Sequence, residues 1–242
     1  MSRSVLRAEI GEQPDVLARL LVREGPAIRR IARDLARREL RFVLVAARGT
    51  SDNAARYAQY ALGLTCRLPV ALAGPSLVTL YDSPPRLKGA LVVGISQSGR
   101  SPDVVETIAS ARREGVPTLA IVNDPESPLA QAAAEVIPLH AGVERSVAAT
   151  KTYTAQLLAV ALLAAGLSGS RKFAEGLGAL PDAVADALGT EGAARRAATR
   201  PFAEQLARPA REPPIHAIGR GEAGGRGAAD DRGLRARRVV GD

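Results

Sequence analysis

The chain has 242 residues, 46% of them hydrophobic, which is long enough and apolar enough for a packed core. The net charge is +8, but the arginines that dominate it are scattered among acidic residues, and aromatics make up only 3% of the chain. We therefore expect no nucleic-acid partner, and the single cysteine, Cys66, with two distant histidines excludes an internal disulfide and a zinc-type site.

The chain begins with a helical pattern and then changes to short apolar runs separated by helices. Residues 1–40 carry apolar side chains at helical spacing, so we predict an N-terminal helical segment there. The predicted strands are Phe42–Ala46, Leu68–Ala73, Ala90–Ile95, Thr118–Val122 and Val136–Leu139. The predicted helices between them are Asn53–Leu64, Asp103–Glu114 and Ser127–Ala134. This alternation predicts an α/β fold over residues 41–168, a three-layer αβα sandwich around a five-stranded parallel sheet.

A long apolar helix is predicted over Ala148–Leu167, where the longest apolar run is shorter than the roughly 20 residues of a membrane span. No secretory signal is visible either, so we expect a cytoplasmic protein without a membrane partner. Residues 169–213 are predicted to form a helical linker, with Gly189 as a helix stop. Residues 222–242 are rich in glycine and mixed charge, which predicts a disordered tail.

Two loops that follow predicted strands are rich in hydroxyl groups. The first is Arg48–Asn53, where Gly49 permits a tight turn and two hydroxyl side chains stand at a helix start. The second is Ser96–Pro102, where Pro102 suits the first position of a helix and makes Ser101 its N-cap. Such groups bind an anion at the positive end of a helix, although each loop alone also fits an ordinary capped turn. Neither loop has the glycine spacing of a nucleotide-binding motif, which favours a small phosphate ester.

A third segment, residues 141–151, joins the fifth predicted strand to the apolar helix. On its own it fits a capped helix start, with Glu144 and Lys151 in solvent. Glu144 is the only carboxylate of this segment that could serve as an acid or base, but capping or pairing with Lys151 is the favoured interpretation.

Three sequences occur in a fixed order: RGTSDNA at residues 48–54, ISQSGRSPD at residues 95–103 and AGVERSVAATKTYTAQL at residues 141–157. As a set they resemble the sugar isomerase (SIS) domain family, with its flavodoxin-like fold. The resemblance is to the glucosamine-6-phosphate branch, which includes SIS-type deaminases and the isomerase half of glutamine–fructose-6-phosphate aminotransferase. SPD and SVAATK are more similar to the deaminases.

The resemblance implies a site for the phosphate of glucosamine 6-phosphate or fructose 6-phosphate. The phosphate-binding positions it implies are Thr50, Ser51, Ser96, Gln97, Ser98 and Ser101. Gly49, Val147 and Ala148 take the sugar-binding positions, and Ala149 stands where the family has a serine. The resemblance further implies isomerisation or deamination without metal or cofactor, and a homodimer. A non-catalytic module that binds sugar phosphates is the alternative.

Family enzymes carry a second SIS domain that supplies catalytic residues. Ile218–Gly221 resembles the opening turn of such a domain, but the helix with a glutamate and a lysine does not follow. We therefore predict that residues 214–242 hold the start of a truncated second domain and its tail, and we assign no catalytic residue.

Overall fold

A computed structural model describes residues 4–189. The predicted N-terminal segment forms two helices, α1 (Val5–Gly11) and α2 (Gln13–Ala36), with Glu12 between them. The following strands are β1 (Phe42–Ala47), β2 (Val70–Leu72), β3 (Ala90–Ser96), β4 (Thr118–Val122) and β5 (Glu135–Pro138). The further helices are α3 (Thr50–Cys66), α4 (Ser76–Thr79), α5 (Pro102–Arg113), α6 (Pro128–Ala132), α7 (Lys151–Ser168), α8 (Arg171–Gly178) and α9 (Leu180–Ala187).

The five strands form one parallel sheet in the order β2-β1-β3-β4-β5, which confirms the predicted α/β fold. Val45 in β1 pairs with Leu72 on one side and Val93 on the other. The chain therefore leaves β1 toward one end of the sheet and β3 toward the other.

Alternate strand residues face the two helical layers. Val43 and Val45 pack into a core with α2, α3 and α7, whereas Leu44 and Ala46 pack into a second core with α5 and α6. The three central strands, β1, β3 and β4, are buried on both faces, as their continuous apolar sequences predict, whereas the edge strands β2 and β5 are only partly buried. These layers complete the three-layer αβα sandwich.

Most element boundaries differ from the prediction by one or more residues, among them those of α3, β2 and α7. α3 begins at Thr50 rather than Asn53, because Gly49 has a positive φ of 56° and turns the chain directly from β1 into the helix. β2 is only three residues long, although the carbonyl of Pro69 and the N–H of Ala73 still hydrogen-bond to β1. α7 begins at Lys151 rather than Ala148, so residues 148–150 belong to the preceding loop.

Helices α8 and α9 lie within the predicted linker, and α9 ends just before Gly189, which has a φ of 68°. The rest of the linker, the Ile218–Gly221 turn and the predicted tail lie outside the described residues. Between residues 4 and 189, no helix is both long and apolar enough to cross a membrane.

Candidate functional site

The two hydroxyl-rich loops lie side by side at the carboxyl edge of the sheet. β1 and β3 are parallel neighbours, and Ala47 pairs with Ile95 at their ends. The chain leaves these strands in opposite directions, so the two loops border the crevice that this sheet topology forms. Open α/β sheets bind their ligands at such a reversal of strand order. The start of α3 and the start of α5 both face this edge, where their free amides carry positive charge.

A side-chain contact joins the two loops directly. Arg48, after β1, donates from Nε to a carboxylate oxygen of Asp103 in the first turn of α5 at 2.5 Å. A second guanidinium nitrogen of Arg48 contacts the same oxygen. The pair therefore links the two loops across this crevice.

In the first loop, Thr50 is exposed and Ser51 is buried in the first turn of α3. The Ser51 hydroxyl accepts a hydrogen bond of 2.9 Å from the side-chain amide of Gln156 in α7. Gln156 is only 1% exposed, and its carbonyl oxygen has no hydrogen-bond partner among the described residues. The donated bond from Gln156 leaves the hydroxyl hydrogen of Ser51 available for an acceptor.

In the second loop, the four predicted phosphate-binding side chains differ in availability. Ser96 is buried, and its hydroxyl accepts from the N–H of Gly99 at 3.0 Å, so it shapes the loop. Ser98 is exposed and accepts only a long bond, 3.3 Å, from the N–H of Arg100. Ser101 occupies the predicted N-cap position of α5, but its hydroxyl makes no capping bond and is free to bind elsewhere.

Gly99 is required by two features of this loop. Its φ is 66°, and a methyl group there would lie 2.1 Å from the hydroxyl oxygen of Ser127, the N-cap of α6. Its carbonyl also accepts from the N–H of Leu129 at 3.0 Å. The second loop is therefore packed closely against α6 and held in one shape.

The third segment is tied to the second loop through Glu144. Its carboxylate accepts from the side-chain amide of Gln97 at 3.0 Å, from the N–H of Thr150 at 2.7 Å and from the hydroxyls of Thr150 and Thr152. Glu144 therefore caps α7, as the favoured interpretation predicted. The suggested pairing with Lys151 is wrong, because Lys151 is buried and donates to Glu12 at 2.6 Å instead.

A second carboxylate holds the same segment from the N-terminal side. Glu9 in α1 accepts from the N–H of Arg145 at 2.5 Å, from the N–H of Ser146 at 3.1 Å and from the Ser146 hydroxyl. These bonds, the one from Arg145 first, lower the pKa of Glu9 below its ordinary value. Val147 and Ala148, the predicted sugar-binding residues, lie next to this contact and are exposed.

The family model of the SIS domain matches residues 38–166, more than half of the chain. The chain belongs to the SIS domain family. This confirms the resemblance drawn from the three sequence motifs.

Relatives of this SIS protein are longer than the chain itself. Glutamine–fructose-6-phosphate aminotransferase (isomerizing) of Bradyrhizobium diazoefficiens is 34% identical over 203 residues, which are 78% of this chain and 33% of that protein. The chain thus spans about a third of this curated relative.

Two solved structures share the fold of the SIS protein. One, from Silicibacter pomeroyi DSS-3 and provisionally described as a phosphosugar isomerase, has a TM-score of 0.74 and 41% identity, covering 76% of this chain and 56% of that one. The Vibrio vulnificus NanR protein complexed with ManNAc-6P has a TM-score of 0.54 and 16% identity, covering 83% of this chain and 67% of that one, which shows the fold alone.

The sequence interpretation missed several residues that build this edge of the SIS domain. Gln156 had a visible signal, because it is an amide within an otherwise apolar helix. Arg48 and Asp103 stand within the two motifs, but nothing in their spacing indicated the contact between them. Glu9 and Glu12 gave no signal, since they lie more than 130 residues from their partners. A cavity of about 450 Å³ lies at the opposite, amino edge of the sheet, between residues such as Lys88 and Glu114, away from this site.

Proposed function

We propose that the chain binds an amino-sugar phosphate or a ketose phosphate, glucosamine 6-phosphate or fructose 6-phosphate, at the carboxyl edge of β1 and β3. The observation that carries the proposal is the convergence of two hydroxyl-bearing helix starts, α3 and α5, at the reversal of strand order. The SIS family and the name of the aminotransferase relative give the substrate class.

The phosphate group fits the available donors of the two loops. The exposed hydroxyls of Thr50 and Ser98, with that of Ser101, are the flexible donors, and the hydroxyl hydrogen of Ser51 is left free by its bond from Gln156. The first amides of α3 and α5 add backbone donors with no intrahelical partner. Ser96 and Gln97, which are held by Gly99 and Glu144, support the loop around the anion.

The sugar then extends toward the loop before α7. Val147 and Ala148 are exposed there, with backbone groups that form no part of a helix or strand. Because Glu144 binds both Gln97 and the start of α7, this loop is anchored to the phosphate loop. Gly49, with its open backbone at the first loop, completes the proposed sugar contacts.

The reaction we propose is aldose–ketose isomerisation or deamination, in which a proton moves between C1 and C2 of the sugar. Such a step needs a carboxylate or other base with a free lone pair near C1 and C2. Glu144 does not fit this role, since its two oxygens already accept from Gln97, Thr150 and Thr152. We assign no catalytic residue. The second candidate is a sugar-phosphate-binding module without catalysis.

The test is a calorimetric titration of the 242-residue chain with glucosamine 6-phosphate and fructose 6-phosphate. Ser98→Ala removes one hydrogen bond to a charged group, which costs about 1.5–3 kcal/mol, or roughly 10- to 150-fold in Kd. Ser170→Ala is the matched control, because Ser170 caps α8 at the far end of α7. Equal affinity for wild type and Ser98→Ala would refute the proposed site.

A second measurement separates the two candidate functions. Release of ammonia from glucosamine 6-phosphate, or its conversion between aldose and ketose forms, supports an enzyme, whereas binding without turnover supports the module. The expected homodimer and the cytoplasmic location remain predictions, which size-exclusion chromatography and cell fractionation test.

A further inference from the structure

The loop that carries the proposed sugar contacts has no regular structure of its own. Residues 139–150 form neither helix nor strand, and Val147 is fully exposed at the middle of the loop. Its shape must therefore come from side chains that bind its backbone. Glu144 supplies such bonds at the end of the loop that enters α7.

The middle of the loop is bound by α1 instead. Glu9 is only 4% exposed, and its two carboxylate oxygens accept from the consecutive N–H groups of Arg145 and Ser146. The Ser146 hydroxyl contacts the same carboxylate and lies 2.8 Å from the carbonyl oxygen of Ala148. One carboxylate thus binds two consecutive backbone N–H groups and one side-chain hydroxyl immediately before Val147 and Ala148.

An ion pair adds a second contact between this N-terminal region and the loop. Lys151, 3% exposed at the start of α7, donates to Glu12 just after α1 at 2.6 Å. Glu9 and Glu12 therefore connect α1 to both ends of the segment from residue 145 to residue 151. α1 lies outside residues 38–166, the span that matches the SIS family model.

We infer that Glu9 is a positioning residue for the sugar. It acts by holding residues 145–148 beside the crevice between the two hydroxyl-rich loops. This role presupposes the sugar-phosphate site proposed above. Glu9 touches neither phosphate loop, so its removal should weaken contacts to the sugar and leave contacts to the phosphate unchanged. Hydrogen bonds from backbone N–H groups to a charged acceptor are among the stronger ones in proteins, which makes the effect measurable.

The experiment compares fructose 6-phosphate with inorganic phosphate as ligands of the full chain. Glu9→Gln keeps the size of the side chain but loses one acceptor oxygen and the charge. We expect the Kd for fructose 6-phosphate to rise about tenfold, the cost of one charge-assisted hydrogen bond, with the Kd for inorganic phosphate unchanged within a factor of two. Glu175→Gln, which removes an exposed ion pair with Arg171 on α8, is the matched control and should change neither value.

Equal weakening of both ligands would overturn the inference, since it would mean that Glu9 acts through the whole fold. An unchanged Kd for fructose 6-phosphate would overturn it as well. If the wild type binds neither ligand, the proposed function fails and the positioning role fails with it. In that case, amide hydrogen exchange at Arg145 and Ser146 tests the contact on its own. We expect slow exchange in the wild type and faster exchange in Glu9→Gln, which distinguishes a missing Glu9 contact from a missing sugar-phosphate site.

Discussion

Gln156→Met is expected to leave the stability of the protein nearly unchanged and to weaken its binding of phosphate. Gln156 is buried in α7, and either orientation of its amide leaves one polar atom without a partner, since only one atom meets Ser51. An unpaired buried polar group costs about 1–3 kcal/mol, whereas the amide–hydroxyl bond contributes about 0.5–1.5 kcal/mol. Methionine has a similar shape and removes the unpaired amide atom, but it also takes from the buried Ser51 hydroxyl its bond with Gln156. The two costs offset each other, so the free energy of unfolding should change by less than about 1 kcal/mol.

The assay is urea denaturation together with thermal unfolding, where about 1 kcal/mol corresponds to roughly 2–4 °C in Tm for a domain of this size. Leu163→Met, a volume-conserving change at a buried position of the same helix, is the control and should cost less than about 1.5 kcal/mol. A calorimetric titration with inorganic phosphate should show weaker binding by Gln156→Met, because Ser51 loses the donor that orients its hydroxyl. A clear loss of stability with unchanged phosphate binding would refute the reasoning and make Gln156 a purely structural residue.

Two further predictions concern the loops themselves. Gly99→Ala should lower the free energy of unfolding, measured by urea denaturation, by about 1–3 kcal/mol. Alanine disfavours the positive φ at this position, and its methyl group would clash with Ser127. An unchanged free energy of unfolding would contradict the close packing of this loop. The pKa of Glu9 is lower in the folded protein than its ordinary value of 4.5. The contact of Glu9 therefore stabilises the fold fully above pH 4.5, and this stabilisation is lost as the pH falls through the lower pKa of the folded state. Proteolysis of the 145–148 loop should therefore increase on acidification below about pH 4.5 in the wild type but depend little on pH in Glu9→Gln.

The sequence predicted the elements that depend on local pattern. β4 has the predicted bounds, Thr118–Val122, because its residues are apolar on both faces and turn residues end it. The N-cap position of α5 was also predicted, since Pro102 marks the first helical residue. Local signals of this kind predicted the parallel sheet and the positions of the two hydroxyl-rich loops at its edge.

The remaining features depend on contacts between distant parts of the chain. α7 begins three residues later than predicted, because Glu144 accepts hydrogen bonds from Thr150 and Thr152 and so keeps residues 148–150 out of the helix. Lys151 pairs with Glu12 rather than with Glu144. Glu12 lies 139 residues away, so no helical spacing could indicate this pair. The loop before α7 could be located from its motif, but Glu9, which binds its backbone, could not.

The position of α1 has a practical consequence for anyone who produces this protein. An affinity tag fused immediately before Val5 would extend the short helix whose Glu9 binds the backbone of the loop before α7, so a bulky tag there is expected to disturb that contact. Trimming the gene to residues 38–166, which match the family model, would discard the same contact. Keeping α1 in the expressed chain, with a cleavable tag that is removed before any ligand is titrated, avoids both errors.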